Sequence, residues 1–181
     1  ILLLLAFVGG LFAAVASGLI GDDNQYGPGD EATVATFISI AGVVAAIGAF
    51  LHWRRFRVPI TIAAGAAAVV ATIIGLMAVA TDGEIEPFLH PLLLISGLGV
   101  FALAMRWDIS DPVRETRRSD VAFWLHLLAA PLIVHPIFAE IGVLEGTLSM
   151  GGAVLVIGLY VVMAVIALAI DRRALMVSSL V

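Results

Sequence analysis

Cysteine is absent from the 181 residues, and so is lysine: all nine basic residues are arginine. Without cysteine there are no disulfides, thiolate metal sites or cysteine nucleophiles. Charge is scarce, with 13% charged residues against 62% hydrophobic ones. A soluble domain is roughly half apolar and about one-quarter charged. A chain of this length still exposes about a third of its surface when folded, so one soluble core cannot hide this much apolar surface. Soluble globular folds, disordered chains and nucleic-acid binders are therefore excluded as main readings. The class that remains is an integral membrane protein. Arginine without lysine is the bias of a GC-rich genome and suggests a bacterial inner membrane.

What the sequence has in abundance is long apolar runs. A helix needs about 20 apolar residues to cross the hydrocarbon core. Six runs qualify, at roughly 1–20, 33–52, 58–80, 88–106, 121–140 and 149–170, and a seventh starts near Ala174. None alternates polar with apolar residues, which excludes barrel strands. In lipid such runs must satisfy their own backbone as helices. The expected fold is all-α: one polytopic transmembrane bundle of six full spans and the beginning of another. The chain begins and stops inside apolar runs, so it reads as an internal piece of a longer protein. Residues 1–12 also admit a second reading, as the apolar part of a signal peptide cleaved near Ala14-Val15-Ala16.

The loops alternate in charge. Residues 21–32, 81–87 and 140–148 carry acids and no base. Arg54, Arg55 and Arg57 lie in loop 52–57, Arg106, Arg114, Arg117 and Arg118 in loop 106–120, and Arg172 and Arg173 in loop 171–173. Every arginine thus falls in alternate loops, which the positive-inside rule places in the cytoplasm. These arginines set topology and meet anionic headgroups of the lipid bilayer, the expected partner. Trp53, Trp107 and Trp124 fall near the same span ends, at the headgroup level that tryptophan favours. Other membrane subunits are possible partners, and nucleic acid is not one.

In lipid, small residues decide helix contacts because they let backbones approach. Gly10, Ala14 and Gly18, then Ala41, Ala45 and Ala49, then Ala63, Ala67, Ala71 and Gly75, recur four apart. The expectation is a tight bundle of the first three spans along these stripes. Ser39, Ser96, Thr61 and Thr72 are expected to bond back to their own helices.

Ionisable groups within a membrane are functional candidates by default. No aspartate, glutamate or arginine lies in the middle of a run. The fifth run differs, with His126, Pro131, His135 and Pro136. Pro131 frees the Leu127 carbonyl and kinks a helix, and the Tyr160 hydroxyl at similar depth is a candidate donor to it. His90 and His135 each precede a proline near the outer ends of antiparallel runs, with Glu86 and Glu140 close to that level. Such a cluster has the chemistry to bind a divalent metal or relay protons. Two histidines on different helices could also ligate haem, and His126 with His52 forms a second such pair. His126 and His135 are nine apart, about 180° around a straight helix, and cannot face one partner together unless the kink rotates them. A plain helix terminus, with the imidazole bonded to backbone or water, is the preferred reading of the His-Pro pairs, and no cofactor is expected. No phosphate loop, zinc-protease pair or serine-hydrolase elbow is present. The chain reads as a non-enzymatic membrane component or transporter-like bundle. Intramembrane metal or haem binding, and an anchor or sensor module of a longer protein, stand as alternatives.

Overall fold

The structure, a computed structural model, describes residues 8–15, 17, 30–142, 150–162 and 165. Among these residues it forms six helices and no strand. They are α1 (residues 8–15), α2 (Glu31–Phe56), α3 (Ile60–Ala80), α4 (Glu86–Ile109), α5 (Arg117–Glu140) and α6 (Met150–Val162). Four of them, α2 to α5, are long and apolar enough to cross a membrane, and α6 is shorter. The expected spans 1–20 and 149–170 run beyond the described residues, and the expected start of a seventh lies outside them.

The long helices outlast their apolar runs. The runs cover only the apolar stretch of each helix, whereas the helices continue into polar ends such as Arg54 and Arg55 in the last turn of α2. There the basic side chains also oppose the negative end of the helix dipole. The turns close by identifiable chemistry. Arg57 caps α2 in the left-handed region (φ 53°), its N–H donating to the Trp53 carbonyl at 2.8 Å. At the far end of α3, Gly83 N–H reaches the Ala78 carbonyl at 2.8 Å and Asp82 N–H the Val79 carbonyl at 3.3 Å. That is a Schellman closure, with Asp82 left-handed at φ 48°.

Packing follows two hairpins, α2 with α3 and α4 with α5, joined mainly by α3 against α5. The α2–α3 seam is reciprocal. Ser39 Oγ donates to the Ala35 carbonyl at 2.8 Å, and Gly75 of α3 lies against both residues. Thr72 Oγ1 donates to the Ala68 carbonyl at 2.9 Å, and Gly42 of α2 lies against that pair. Each hydroxyl is satisfied within its own helix, as expected, so it can sit in a dry seam. Each glycine supplies the space.

The expected stripes are met in part. Ala41, Ala45 and Ala49 are fully buried. The α3 stripe divides between two partners: Gly75 faces α2, while Ala63 joins Val70, Val100, Ala104, Val121, Leu125 and Ala129 in the core between the hairpins. Helix α1 does pack on α2 and α3, but through Val8 and Phe12 against Ala45, Ala49 and Ala68. Gly10 and Ala14 are exposed there, and Gly18 lies outside the described residues. One larger apolar side chain per turn makes that contact where small residues were expected.

The outer faces are apolar and large. Ile40, Val43, Ile47 and Phe50 follow one side of α2, and Val69, Ile73 and Leu76 one side of α3, all exposed. Interiors of small residues under outer faces of large apolar ones suit lipid as the solvent. In water, apolar faces of this extent would aggregate or seek a partner.

Candidate functional site

The two described loops that carry arginine, 52–57 and 106–120, come together at one end. Arg117 Nη1 donates to the Arg57 carbonyl at 3.3 Å, tying the start of α5 to the α2–α3 turn. Between the last turns of α2 and α4 and the first turn of α5 lies an open cleft of about 820 Å³. Trp53, Arg57, Arg106, Trp107, Arg117 and Arg118 line its mouth. The Arg57 guanidinium stacks over the Trp53 ring, 4.6 Å from its centroid. Leu103 and Val121, a turn further into the spans, line the cleft on the apolar side. Trp124 instead packs against the inter-hairpin core and edge-on to Phe123.

The loop between α4 and α5 is held by a buried carboxylate. Asp111 accepts from the Thr116 hydroxyl at 2.6 Å and from the Thr116 N–H at 3.0 Å. Thr116 in turn caps α5, its hydroxyl accepting from Arg118 N–H at 3.2 Å. The Asp111-Pro112 turn expected from sequence is closed by Arg114 N–H on the Asp111 carbonyl at 3.1 Å. The Thr116 hydroxyl above all holds the Asp111 carboxyl below its ordinary range. Burial opposes this, and the Thr116 N–H adds to it. A carboxyl depressed in this way stabilises the fold above the usual aspartate value of about 3.9 and loses that contribution as pH falls through the lowered value. Asp111→Asn is therefore expected to speed hydrogen exchange at the Thr116 and Arg118 amides at neutral pH. The natural chain reaches that state only in acid, and equal exchange in both at neutral pH would refute the clamp.

The opposite end holds the second candidate. His90 Nδ1 lies 3.3 Å from Glu140 Oε1 and donates to it when that nitrogen carries a proton. Two of the four expected members thus meet. Glu86 is one turn before His90 on the same face of α4, and exposed. His135 is exposed and lies five residues before Glu140, about 140° around the helix. Among the described residues no three His, Asp or Glu side chains group as a metal site would require. Glu140 is open to the surroundings, so the pair contributes little to stability.

The other histidines are placed apart. His52 Nδ1 lies 3.3 Å from Thr61 Oγ1, so Thr61 bonds across the α2–α3 turn where a bond within its own helix was expected. His126 sits edge-on to Phe101 at 5.3 Å, its Nε2 buried without a hydrogen-bond partner among the described residues. Helix α5 runs unbroken through Pro131 and Pro136. Tyr160 packs near Phe138, with ring centroids 6.0 Å apart, about three turns from Leu127. The neighbour of the proline region on α4 is Gly97, set against Leu132 and Ile133. Pro136 denies the Leu132 carbonyl its helical donor, and Gly97 lets the α4 backbone come close there. Two features escaped the sequence reading: Gly97, signalled only by its place opposite a proline-bearing run, and the grouping of Arg106 with Arg57, signalled by an Arg-Trp pair at each span end. Arg54, Arg55 and Arg114 belong to the same end, with Arg114 Nη2 3.8 Å from Asp108 Oδ1. Arg172 and Arg173 lie outside the described residues.

Comparison of the chain with protein-family models, curated proteins and solved structures finds no match.

Proposed function

We propose that the chain is a multi-pass protein of a bacterial inner membrane, with six complete spans and the start of a seventh, acting as a non-catalytic structural component of that membrane. Loops 52–57, 106–120 and 171–173 face the cytoplasm in this reading. The observation that carries it is the meeting of the two described arginine loops at one end, through Arg117 and Arg57, while the acidic α3–α4 loop lies at the other. Buried seams of alanine and glycine support a structural role over a transporter, and so does the lack of any Asp, Glu or Arg in mid-span. The placement of His90 and His135 gives less support to metal or haem binding. The expected result is that the protein stays with the membrane through alkaline carbonate extraction and leaves only with detergent. Release by carbonate would end the proposal. A purified protein with a haem absorbance band, or with stoichiometric metal lost in His90→Ala, would replace it with the cofactor reading.

A further inference from the structure

The geometry points to the arginine-lined cleft as a discrete binding site for the phosphate headgroup of one anionic phospholipid. This rests on the membrane reading above only in placing the cleft at headgroup depth.

Four arginines, Arg57, Arg106, Arg117 and Arg118, line the cleft from three helix ends. Among the described residues none of them meets a carboxylate at ion-pair distance. Of the acids at this end, Asp108 pairs with Arg114 and Asp111 with Thr116, while Glu115 and Asp120 are exposed and stand outside the cleft lining. The cleft lining thus carries four arginines and no acid.

Arg117 and Arg118 also stand in the first turn of α5, where the helix dipole is positive and cations are disfavoured. Helix stability does not account for them there. Dipole and guanidinium groups together favour an anion, and the planar arginine fork matches phosphate oxygens.

Two features select a lipid over a free phosphate. Trp53 and Trp107 flank the cleft, and tryptophan settles at the headgroup level of a bilayer. On the side of the spans the lining turns apolar at Leu103 and Val121, which lets acyl chains continue along α4 and α5. The volume of about 820 Å³ exceeds what a bare phosphate fills and lies within the ~300–1,000 Å³ of small-molecule sites.

The test is native mass spectrometry of the full chain, purified in detergent and stripped of lipid, titrated with phosphatidylglycerol or phosphatidylcholine. The expected result is one phosphatidylglycerol adduct of high affinity that phosphatidylcholine does not reproduce. Arg106→Gln, Arg118→Gln and Arg57→Gly are each expected to weaken it about fivefold, the value of one arginine at a membrane surface. Arg57→Gly guards against misfolding, because glycine adopts the left-handed conformation freely. Arg54→Gln and Arg55→Gln, at the same end but outside the cleft, are expected to leave affinity within about twofold. Equal losses from Arg54→Gln and Arg106→Gln would mean diffuse attraction and would overturn the site. Equal binding of phosphatidylcholine would overturn it too. Displacement of the lipid by excess inorganic phosphate would reassign the cleft to a soluble anion and overturn the lipid assignment. All three failures leave the membrane reading standing, because carbonate extraction tests that separately.

Discussion

Gly75→Val is expected to destabilise the α2–α3 hairpin by ~1–3 kcal/mol, the usual cost of overpacking a close-packed interior. A Cβ at Gly75 would meet the Ser39 hydroxyl and come within 3.2 Å of the Ala35 carbonyl and 3.3 Å of the Ser39 backbone nitrogen. The hydroxyl cannot simply swing away, because it already donates to the Ala35 carbonyl in a buried seam. The backbone atoms cannot move without shifting α2. Gly42→Val is the mirror experiment, with Ala68 and Thr72 as the obstacles. The two glycines share one seam a turn apart, so the double variant is expected to lose less than the sum of the singles. Reversible unfolding in mixed micelles reads these changes. Values for both single variants within about 0.5 kcal/mol of the parent, the range of ordinary surface changes, would show that the seam is loose.

The second large effect belongs to α4. Gly97→Val is expected to cost ~1–3 kcal/mol, since a Cβ there would lie 2.8 Å from Ile133 Cγ1, 2.9 Å from Leu132 Cβ and 3.0 Å from the Leu132 carbonyl carbon. Two residues further along, Gly99 has nothing within 4 Å of such a Cβ. Gly99→Ala is expected to be neutral or to stabilise by up to ~1 kcal/mol, by removing the freedom glycine has in the unfolded helix. A loss at Gly97 with none at Gly99 locates the close α4–α5 approach at Gly97. Equal responses at the two positions would place the α4–α5 contact elsewhere.

These glycines show what the sequence could and could not reveal. The positions of four long apolar helices were legible because about 20 apolar residues in a row leave a plain mark in the sequence. The expected cores 33–52, 58–80, 88–106 and 121–140 all lie within α2 to α5, apart from the first two residues of the third run, 58 and 59. The meeting of loops 52–57 and 106–120 at one end was legible because helices that alternate in direction bring every second loop to the same end. Helix faces were harder. In water a helix betrays its buried side by periodic hydrophobicity, but here both lipid and protein sides are apolar, and only residue size distinguishes them. Ala41, Ala45 and Ala49 followed that size rule. Gly10 and Ala14 broke it, because Val8 and Phe12 fill the space instead. On α3 one stripe served two partners, which a single helix cannot announce.

The sites show the same division. His90 and Glu140 were brought together as their depths suggested, since antiparallel spans align residues by level. His135 shares the level but not the face. Depth follows from counting residues along a run, whereas facing depends on rotation and on the course of α5 past Pro131 and Pro136. The basic cleft was half legible: the arginines were evident as topology markers, but their convergence depends on how the two hairpins pack.

The most direct test is the side of the membrane on which each loop lies. The chain has no cysteine of its own, so Glu84→Cys in the α3–α4 loop and Glu115→Cys in the α4–α5 loop each place one reactive thiol at an exposed position. Spheroplasts treated with a membrane-impermeant maleimide are expected to label the thiol at 84, and the thiol at 115 only after permeabilisation. Labelling of both in sealed spheroplasts, or of 115 alone, would contradict a bundle that crosses the bilayer with its arginine end in the cytoplasm.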